Sequence, residues 1–416
     1  VKRHRFLVFL AAVFAAKLIV VLQLRDHPLV QPGAGLDTTV YTQLASQVEA
    51  GDWWLGPGLY FVSPLYIYFL AAVLAVTHSF TAARVLQILL GTAAAGCIYA
   101  AAREWFGIRA GWIAAILAAL TGLFTFHEVL LLQAALDPFL AAAALAALAL
   151  ALSTRQSPTG SRPWGLWFVA AGAIFGIQTL NRPNVFVPAM AIAGLLAATR
   201  RFRAAVLVAA GLVLALAPVT IRNALVAGDW SPASSHGGLN FYIGNNAEAD
   251  GTYRQVPGIT PNIQGQQEDA RRVAEASVGR KLDDGDVSAY FYGLGWSWMQ
   301  LHPADAAKLL ARKLGLVFNA GYISLNYSYP FYAYDARTLL GLLFVGPWLL
   351  LPLGLAGLVI GILRPERVTE YLIWMSFAPL YAVAVASFFV TERYRLPLLV
   401  PMCVGAGAAL DWLFGL

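Results

Sequence analysis

An all-α polytopic membrane protein is the fold this sequence predicts, on three observations. Hydrophobic residues make up 59% of the 416-residue chain and charged residues only 12%, against ~25% charged in ordinary soluble domains. The mean hydropathy is +0.66, and the apolar residues gather into about ten runs approaching the ~20 residues that a helix needs to cross a bilayer. Basic residues cluster between those runs, where they orient a membrane protein. The formal net charge of +6 is explained by that placement, so a nucleic-acid partner is not expected.

The first run, Phe6 to Leu24, follows Lys2, Arg3, His4 and Arg5. No small-residue cleavage site comes after it, so it reads as an uncleaved anchor with a cytoplasmic amino terminus. Further runs span Arg84 to Ala102, Ala110 to Phe126, Ala134 to Leu152, Trp164 to Leu180, Asn184 to Thr199 and Ala204 to Ile221. Leu339 to Leu363, Tyr371 to Val390 and Leu396 to Leu416 complete the set. Pro64 to Val76 is too short to span and reads as an interfacial or re-entrant helix. Leaving it out puts the basic linkers Arg103 to Arg109, Ser153 to Pro163, Arg200 to Arg203 and Arg364 to Glu370 all in the cytoplasm. Counting it would reverse that bias.

This topology divides the chain into a transmembrane module over 1–221, an external loop or cap over 222–336, and carboxy-terminal transmembrane helices over 337–416. In the cap, the glycines and asparagines of Gly237 to Asn246 suit tight turns, Gln266 to Leu282 reads as a charged helix, and Val287 to Leu301 and Pro303 to Phe318 read as interfacial helices. The last run reaches Leu416, so the reading admits a longer protein with a further soluble domain. Cys97 and Cys403 both lie in apolar runs and suggest neither a disulfide framework nor a metal site.

Asp37 is the residue that asks for a chemical explanation. It is a lone carboxylate in Gly35-Leu36-Asp37-Thr38-Thr39-Val40-Tyr41, just beyond the first span and on the external face. The same face collects His127, Glu128 and Asp137, the Asn181-Arg182-Pro183-Asn184 turn, and Thr391-Glu392-Arg393-Tyr394-Arg395.

Several short motifs follow in order: the acid after the first helix, Ser63-Pro64-Leu65-Tyr66, Arg84, Arg103-Glu104-Trp105-Phe106-Gly107, Ala135-Leu136-Asp137-Pro138, Arg182-Pro183 and Arg395-Leu396-Pro397. In order and spacing they resemble the C-type glycosyltransferase superfamily, in particular bacterial relatives of protein O-mannosyltransferases and of the lipid A aminoarabinose transferase. The resemblance implies a multi-pass inner-membrane enzyme with a periplasmic active face. It would take a sugar from a polyprenyl-phosphate donor and pass it to a lipid, glycan or protein acceptor. It also implies that the first-loop acid, here Asp37, takes part in catalysis. The chain departs from the family's pattern at Leu36 and Thr38, where some members carry a second acid, and at Val62-Ser63-Pro64, where the aminoarabinose transferase has Glu-Lys-Pro.

Such a transfer needs a base for the acceptor and positive charge for the departing phosphate. Asp37 suits the first role, with helix N-capping as its structural alternative. Arg182, Arg393 and Arg395 suit the second, because guanidinium is permanently charged and binds anions through two parallel hydrogen bonds. Their structural alternatives are loop hydrogen bonding for Arg182 and an interfacial cluster with Glu392 for the other two. Glu128, Asp137 and Tyr394 are candidates for orienting substrate, although capping is preferred for Asp137 and interfacial packing for Tyr394. A divalent metal held with Asp37 is a further reading, but no spaced set of histidine and carboxylate ligands accompanies it, and no other cofactor is indicated. A transporter or flippase, or a polymerase or ligase, of lipid-linked saccharides is the alternative function. Against transport, the spans are nearly free of charge apart from Lys17.

Overall fold

The computed structural model describes residues 3–154, 164–232, 234–363 and 367–415. Eighteen α-helices carry those residues. The first ten are α1 Arg3–Leu24, α2 Asp37–Glu49, α3 Pro64–Thr77, α4 Phe80–Phe106, α5 Ile108–Ala119, α6 Gly122–Val129, α7 Asp137–Thr154, α8 Trp164–Asn181, α9 Phe186–Ala198 and α10 Phe202–Ala227. After them come α11 His236–Gly244, α12 Ile263–Val278, α13 Asp284–Leu301, α14 Pro303–Val317, α15 Pro347–Ile362, α16 Val368–Met375, α17 Phe377–Ala386 and α18 Leu396–Gly415. Among the described residues the only β-type pairing is an isolated parallel bridge between Thr121 and Val345.

Six helical segments are long and apolar enough to cross a bilayer: His4–Leu24, Phe80–Phe106, Gln133–Ser153, Phe202–Ala227, Val368–Ala386 and Glu392–Gly415. The protein is therefore a multi-pass membrane protein. Each of the ten runs expected to span is helical for most of its length, but several are shorter or broken. The run over 110–126 is interrupted at Leu120 and Thr121 between α5 and α6, and the run over 371–390 is divided at Ser376 between α16 and α17. The run over 339–363 is helical in its first four residues only as a 3-10 turn, Leu339–Leu342, and α15 begins at Pro347. Proline fits the first turn of a helix because the missing N–H would have no partner there, and Gly346 before it is extended. The breaks support one another: Gly122 N donates to Val345 O at 3.3 Å and Val345 N donates to Leu120 O at 3.2 Å. Backbone freed within the apolar region thus finds partners in protein.

Small residues set the packing inside the bundle, as is usual where lipid removes the hydrophobic drive between helices. α8 packs on α10 and α15 on α18. A Cβ at Gly172 would sit 2.0 Å from Val208 O, and one at Gly357 only 1.7 Å from Gly405 O. Between α1 and α6 the buried Lys17 and Glu128 form an ion pair.

The segment expected to form a cap holds α11 to α14, with α11 packed on α13 and α14 on α17. It has a core of its own that includes Leu239, Ile243, Ala270, Phe291 and Phe389. The charged helix and the two amphipathic helices expected there are α12, α13 and α14. The glycine-rich segment differs from expectation, because Gly237 to Gly244 lies in helix α11 rather than in turns. Its glycines serve close approach: a Cβ at Gly238 would lie 1.9 Å from Ser288 O, and one at Gly244 would lie 2.5 Å from the Phe388 backbone. Helix propensity is lost at each glycine, and contact with α13 and with the end of α17 offsets it.

Candidate active site

Asp37 opens α2 as its first helical residue, and the N-cap is Leu36 in an extended conformation with no side-chain cap bond. The turn before it is fixed by Gly35, at φ +76°, whose N–H donates to Thr39 Oγ1 at 2.9 Å. Thr38 Oγ1 shares a 2.6 Å hydrogen bond with the Tyr327 hydroxyl. These contacts orient the first turn of α2 with its carboxylate inward. Asp37 is buried at 5% exposure, and its Oδ2 accepts from Arg393 Nη1 at 2.6 Å. The carboxylate is therefore turned to a cation brought from the far end of the chain.

Arg393 lies in the 3-10 turn Glu392–Arg395 that leads into α18. Arg182, between α8 and the turn Pro183–Val185, is the second cation. Its Nε donates to Asp137 Oδ2 at 2.6 Å, and Asn181 Nδ2 donates to Asp137 Oδ1 at 2.9 Å. The two guanidinium groups share one ring, that of Tyr394, with Arg182 Cζ 4.9 Å and Arg393 Cζ 5.6 Å from its centroid. Tyr381 fixes this segment by donating its hydroxyl to Tyr394 O at 2.9 Å.

Arg182, Arg393 and Tyr394 border a cavity of about 350 Å³ whose walls also include Tyr41, Gln133 and His236, with Asp37 and Asp137 behind the two arginines as their partners. Tyr41 donates to Gln133 Oε1 at 2.7 Å. Burial, followed by the nearby Asp37 charge, raises the Tyr41 phenol well above its ordinary range, so it stays protonated. At this end two arginines face two aspartates, so charge is balanced. Arg393 Nε is buried without a hydrogen-bond partner among the described residues. Such a donor suits an anion.

The other sequence-predicted residues are placed elsewhere. Arg395 is 1% exposed and gives both terminal nitrogens to carbonyls, Nη1 to Asn319 O at 2.6 Å and Nη2 to Gly321 O at 2.7 Å. It tethers the segment after α14 and does not line the cavity. Glu128 points away into the bundle, paired with Lys17 in space left by Gly91, where a Cβ would stand 2.1 Å from the Glu128 carboxyl carbon. His127 Nδ1 lies 2.9 Å from Leu123 O. The Asp137 carboxylate, for which capping was preferred, is engaged by Asn181 and Arg182. The donor set does not suit a resident divalent ion: Asp37 is paired with Arg393, and no three His, Cys, Asp or Glu among the described residues are grouped to hold a metal.

His236 in the cavity wall and Arg222 beneath the first loop were not singled out from the sequence. His236 lines the cavity from α11, but a single histidine beside two glycines carries little signal. Arg222, at the end of α10, holds the first loop by donating Nη1 to Gly58 O at 2.5 Å and Nη2 to Gly56 O at 3.0 Å and to Trp54 O. Its guanidinium also lies 4.1 Å from the Tyr60 ring centroid. A buried arginine closing an apolar helix was the available clue.

Residues 62–221 match the family described as dolichyl-phosphate-mannose-protein mannosyltransferase. No curated protein matches the chain at a significant level. Among solved structures, the archaeal oligosaccharyltransferase AglB of Archaeoglobus fulgidus, in complex with an inhibitory peptide and a dolichol-phosphate, aligns at TM-score 0.52 and 17% identity, over 100% of this chain and 51% of that one. The apo form of the Archaeoglobus fulgidus oligosaccharyltransferase aligns at TM-score 0.55 and 16% identity, again over 100% and 51%. ArnT of Cupriavidus metallidurans, bound to undecaprenyl phosphate, aligns at TM-score 0.45 and 17% identity over 93% of this chain and 77% of that one. The chain thus spans about half the length of the oligosaccharyltransferases it matches. From these findings, the chain is a multi-pass membrane protein with the fold of the C-type glycosyltransferases.

Proposed function

We propose that this protein is a glycosyltransferase that takes a sugar from a polyprenyl-phosphate donor and passes it to a lipid, glycan or protein acceptor on the periplasmic face of the inner membrane. The carrying observation is that Arg393 and Arg182 line one cavity beside the Tyr394 ring, with Asp37 hydrogen-bonded to Arg393 at its edge. The dolichol-phosphate bound by AglB supports a lipid-phosphate donor.

In this reading the acceptor hydroxyl attacks the anomeric carbon while the bond from that carbon to the phosphate oxygen breaks. The hydroxyl proton passes to Asp37, and the electron pair leaves with the carrier phosphate. A hydroxyl has a far higher pKa than a carboxylate, so Asp37 receives the proton late, as positive charge develops on the sugar. Arg393 and Arg182 stabilise the departing phosphate, and charge developing there is what fixed guanidinium donors stabilise best. A single displacement of this kind inverts the anomeric centre. Arg395 contributes by holding the loop over 319–321, and Asp137 and Asn181 by orienting Arg182.

The test is cleavage of the sugar from undecaprenyl-phosphoryl mannose and related carriers by the purified full chain in lipid nanodiscs. The wild type releases sugar from one of them, and Asp37→Asn is produced at normal levels but is inactive. An intact donor in every wild-type reaction would favour transport, and normal turnover by Asp37→Asn would remove the base.

A further inference from the structure

A proton can be followed through a chain of hydrogen bonds behind the cavity wall. Pro261 O has only lone pairs, so the Tyr253 hydroxyl, 3.2 Å away, donates to it. Tyr253 Oη then accepts from Gln266 Nε2 at 3.2 Å. That orients the Gln266 amide with Oε1 toward His236 Nε2, at 2.9 Å. An amide oxygen can only accept, so Nε2 carries the ring proton. Gln266 is 3% exposed, which secures this arrangement. The ring is held flat against Phe61, with centroids 4.4 Å apart and planes at 29°, and the His236 backbone N–H donates to Phe61 O at 3.2 Å.

Burial pushes the imidazole down to about 4, with the Gln266 bond opposing that shift, so the ring is neutral at physiological pH. The charges that act on it are Asp37 from α2 and Arg393 from the turn before α18, which oppose each other. A neutral ring protonated at Nε2 has a lone pair at Nδ1, and Nδ1 has no protein partner among the described residues. His236 lines the same cavity as Arg182 and Arg393, beside Ser235, Asn240 and Ser288.

We propose that His236 reads a hydroxyl of the transferred sugar by accepting its hydrogen bond at Nδ1, with Gln266 and Tyr253 as positioning residues. This rests on the glycosyltransferase reading above. The chemical group attached to a phosphate at the arginines is the sugar, and its hydroxyls are donors. The cationic end of the cavity matches the phosphate, and the wall of serine, asparagine and histidine, which Asp229 joins, matches a polyhydroxyl ring. A ring nitrogen whose protonation is fixed from behind accepts without having to change tautomer. It discriminates more sharply than a serine, whose hydroxyl rotates to donate or accept.

The experiment measures binding of bare undecaprenyl phosphate and of its mannosyl, glucosyl, galactosyl and arabinosyl derivatives to the full chain in nanodiscs. The wild type should bind one glycosylated carrier more tightly than the bare one. His236→Ala should cut that preference about tenfold, the scale of one lost hydrogen bond with its partner left unpaired, and leave bare-carrier affinity within twofold. His236→Asn, which returns an acceptor near the place of Nδ1, should restore part of the preference, and Gln266→Leu should lower it without touching the ligand. Thermal unfolding identifies any variant that fails to fold, and the remaining variants then decide. An undiminished sugar preference in the folded His236 and Gln266 variants, or a wild type indifferent to every sugar, overturns the inference and leaves the phosphate site standing. A wild type that binds no carrier overturns the functional reading and the inference with it.

Discussion

Asp37 holds the guanidinium that is proposed to meet the donor phosphate, so replacing it should separate binding from turnover in opposite directions. The Asp37 to Arg393 contact is 2.6 Å, and at an effective dielectric of ~20 its Coulomb attraction is about 6 kcal/mol. Most of that is offset by desolvation of the two ions, and close buried pairs retain about 1.5–3 kcal/mol per charged hydrogen bond. Asp37→Asn keeps the shape and removes the charge. The Arg393 guanidinium then has its full charge for an incoming phosphate, and a like-charge repulsion is gone. A gain of about 1.4 kcal/mol, tenfold in affinity, is expected for bare undecaprenyl phosphate, measured by titration in nanodiscs at low salt. Arg393→Met should weaken the same binding by at least that factor, and sugar transfer should be lost in both variants. Unchanged or weaker phosphate binding by Asp37→Asn would refute the reasoning, because the pair would then not compete with the ligand.

Three further outcomes follow from the same contacts. Asp137→Leu leaves Arg182 buried without its counter-charge, a change that costs about 3–5 kcal/mol in such pairs. A clear fall in thermal stability by size-exclusion after heating is expected, and an unaltered profile would argue against the pair. Lys313 is 1% exposed and donates to Asn245 Oδ1 at 2.9 Å. Burial pushes its amine down to about 7 from 10.5. The unfolded chain therefore holds more protons than the folded one between those values, so stability should rise from pH 7 to pH 10 and be flat below pH 7, by at most about 5 kcal/mol. Lys313→Met should abolish that slope in melting scans, and an identical slope in the variant would sink the assignment. Arg222→Ala frees the carbonyls of Trp54, Gly56 and Gly58. Limited proteolysis should then cut the loop over 51–59 several times faster than in the wild type.

Apolar periodicity made the bundle legible, because length and hydropathy are properties of each segment alone. The cap helices α12 to α14 were visible for the same reason. Helix breaks were not: Leu120 and Thr121 lie inside a continuous apolar run, and what stops the helix is pairing with Val345, over 200 residues away. The α11 segment was misread for a related cause, since glycine signals a turn locally but serves contact with Ser288 and Phe388 here. In the candidate site, Asp37, Arg182, Asp137, Arg393 and Tyr394 stood out as polar residues at the ends of apolar runs, and the structure gathers them. Arg395 and Glu128 met the same criterion but are committed to the Asn319 and Gly321 carbonyls and to Lys17. Sequence reports that a charge lies near a span end; only folding decides whether it faces a cavity or a partner.

Helix polarity explains why the candidate phosphate end is built where it is. Asp37 sits in the first turn of α2, where the unpaired N–H groups carry partial positive charge and favour a buried carboxylate. Arg393 and Arg395 stand just before α18, at the same positive end of their helix, which disfavours cations. That placement is tolerated because Arg395 gives its two terminal nitrogens to carbonyls and Arg393 is paired with Asp37. Two helix amino termini and the Arg393 and Arg182 cations thus converge around two carboxylates, and the region is electropositive by more than its formal charges show. An anion that enters there relieves both the helix ends and the unpartnered Arg393 Nε. In the proposed reading Asp37 and Asp137 balance the two arginines, and the donor phosphate brings its charge to the helix ends and the Arg393 Nε that those carboxylates leave unmet.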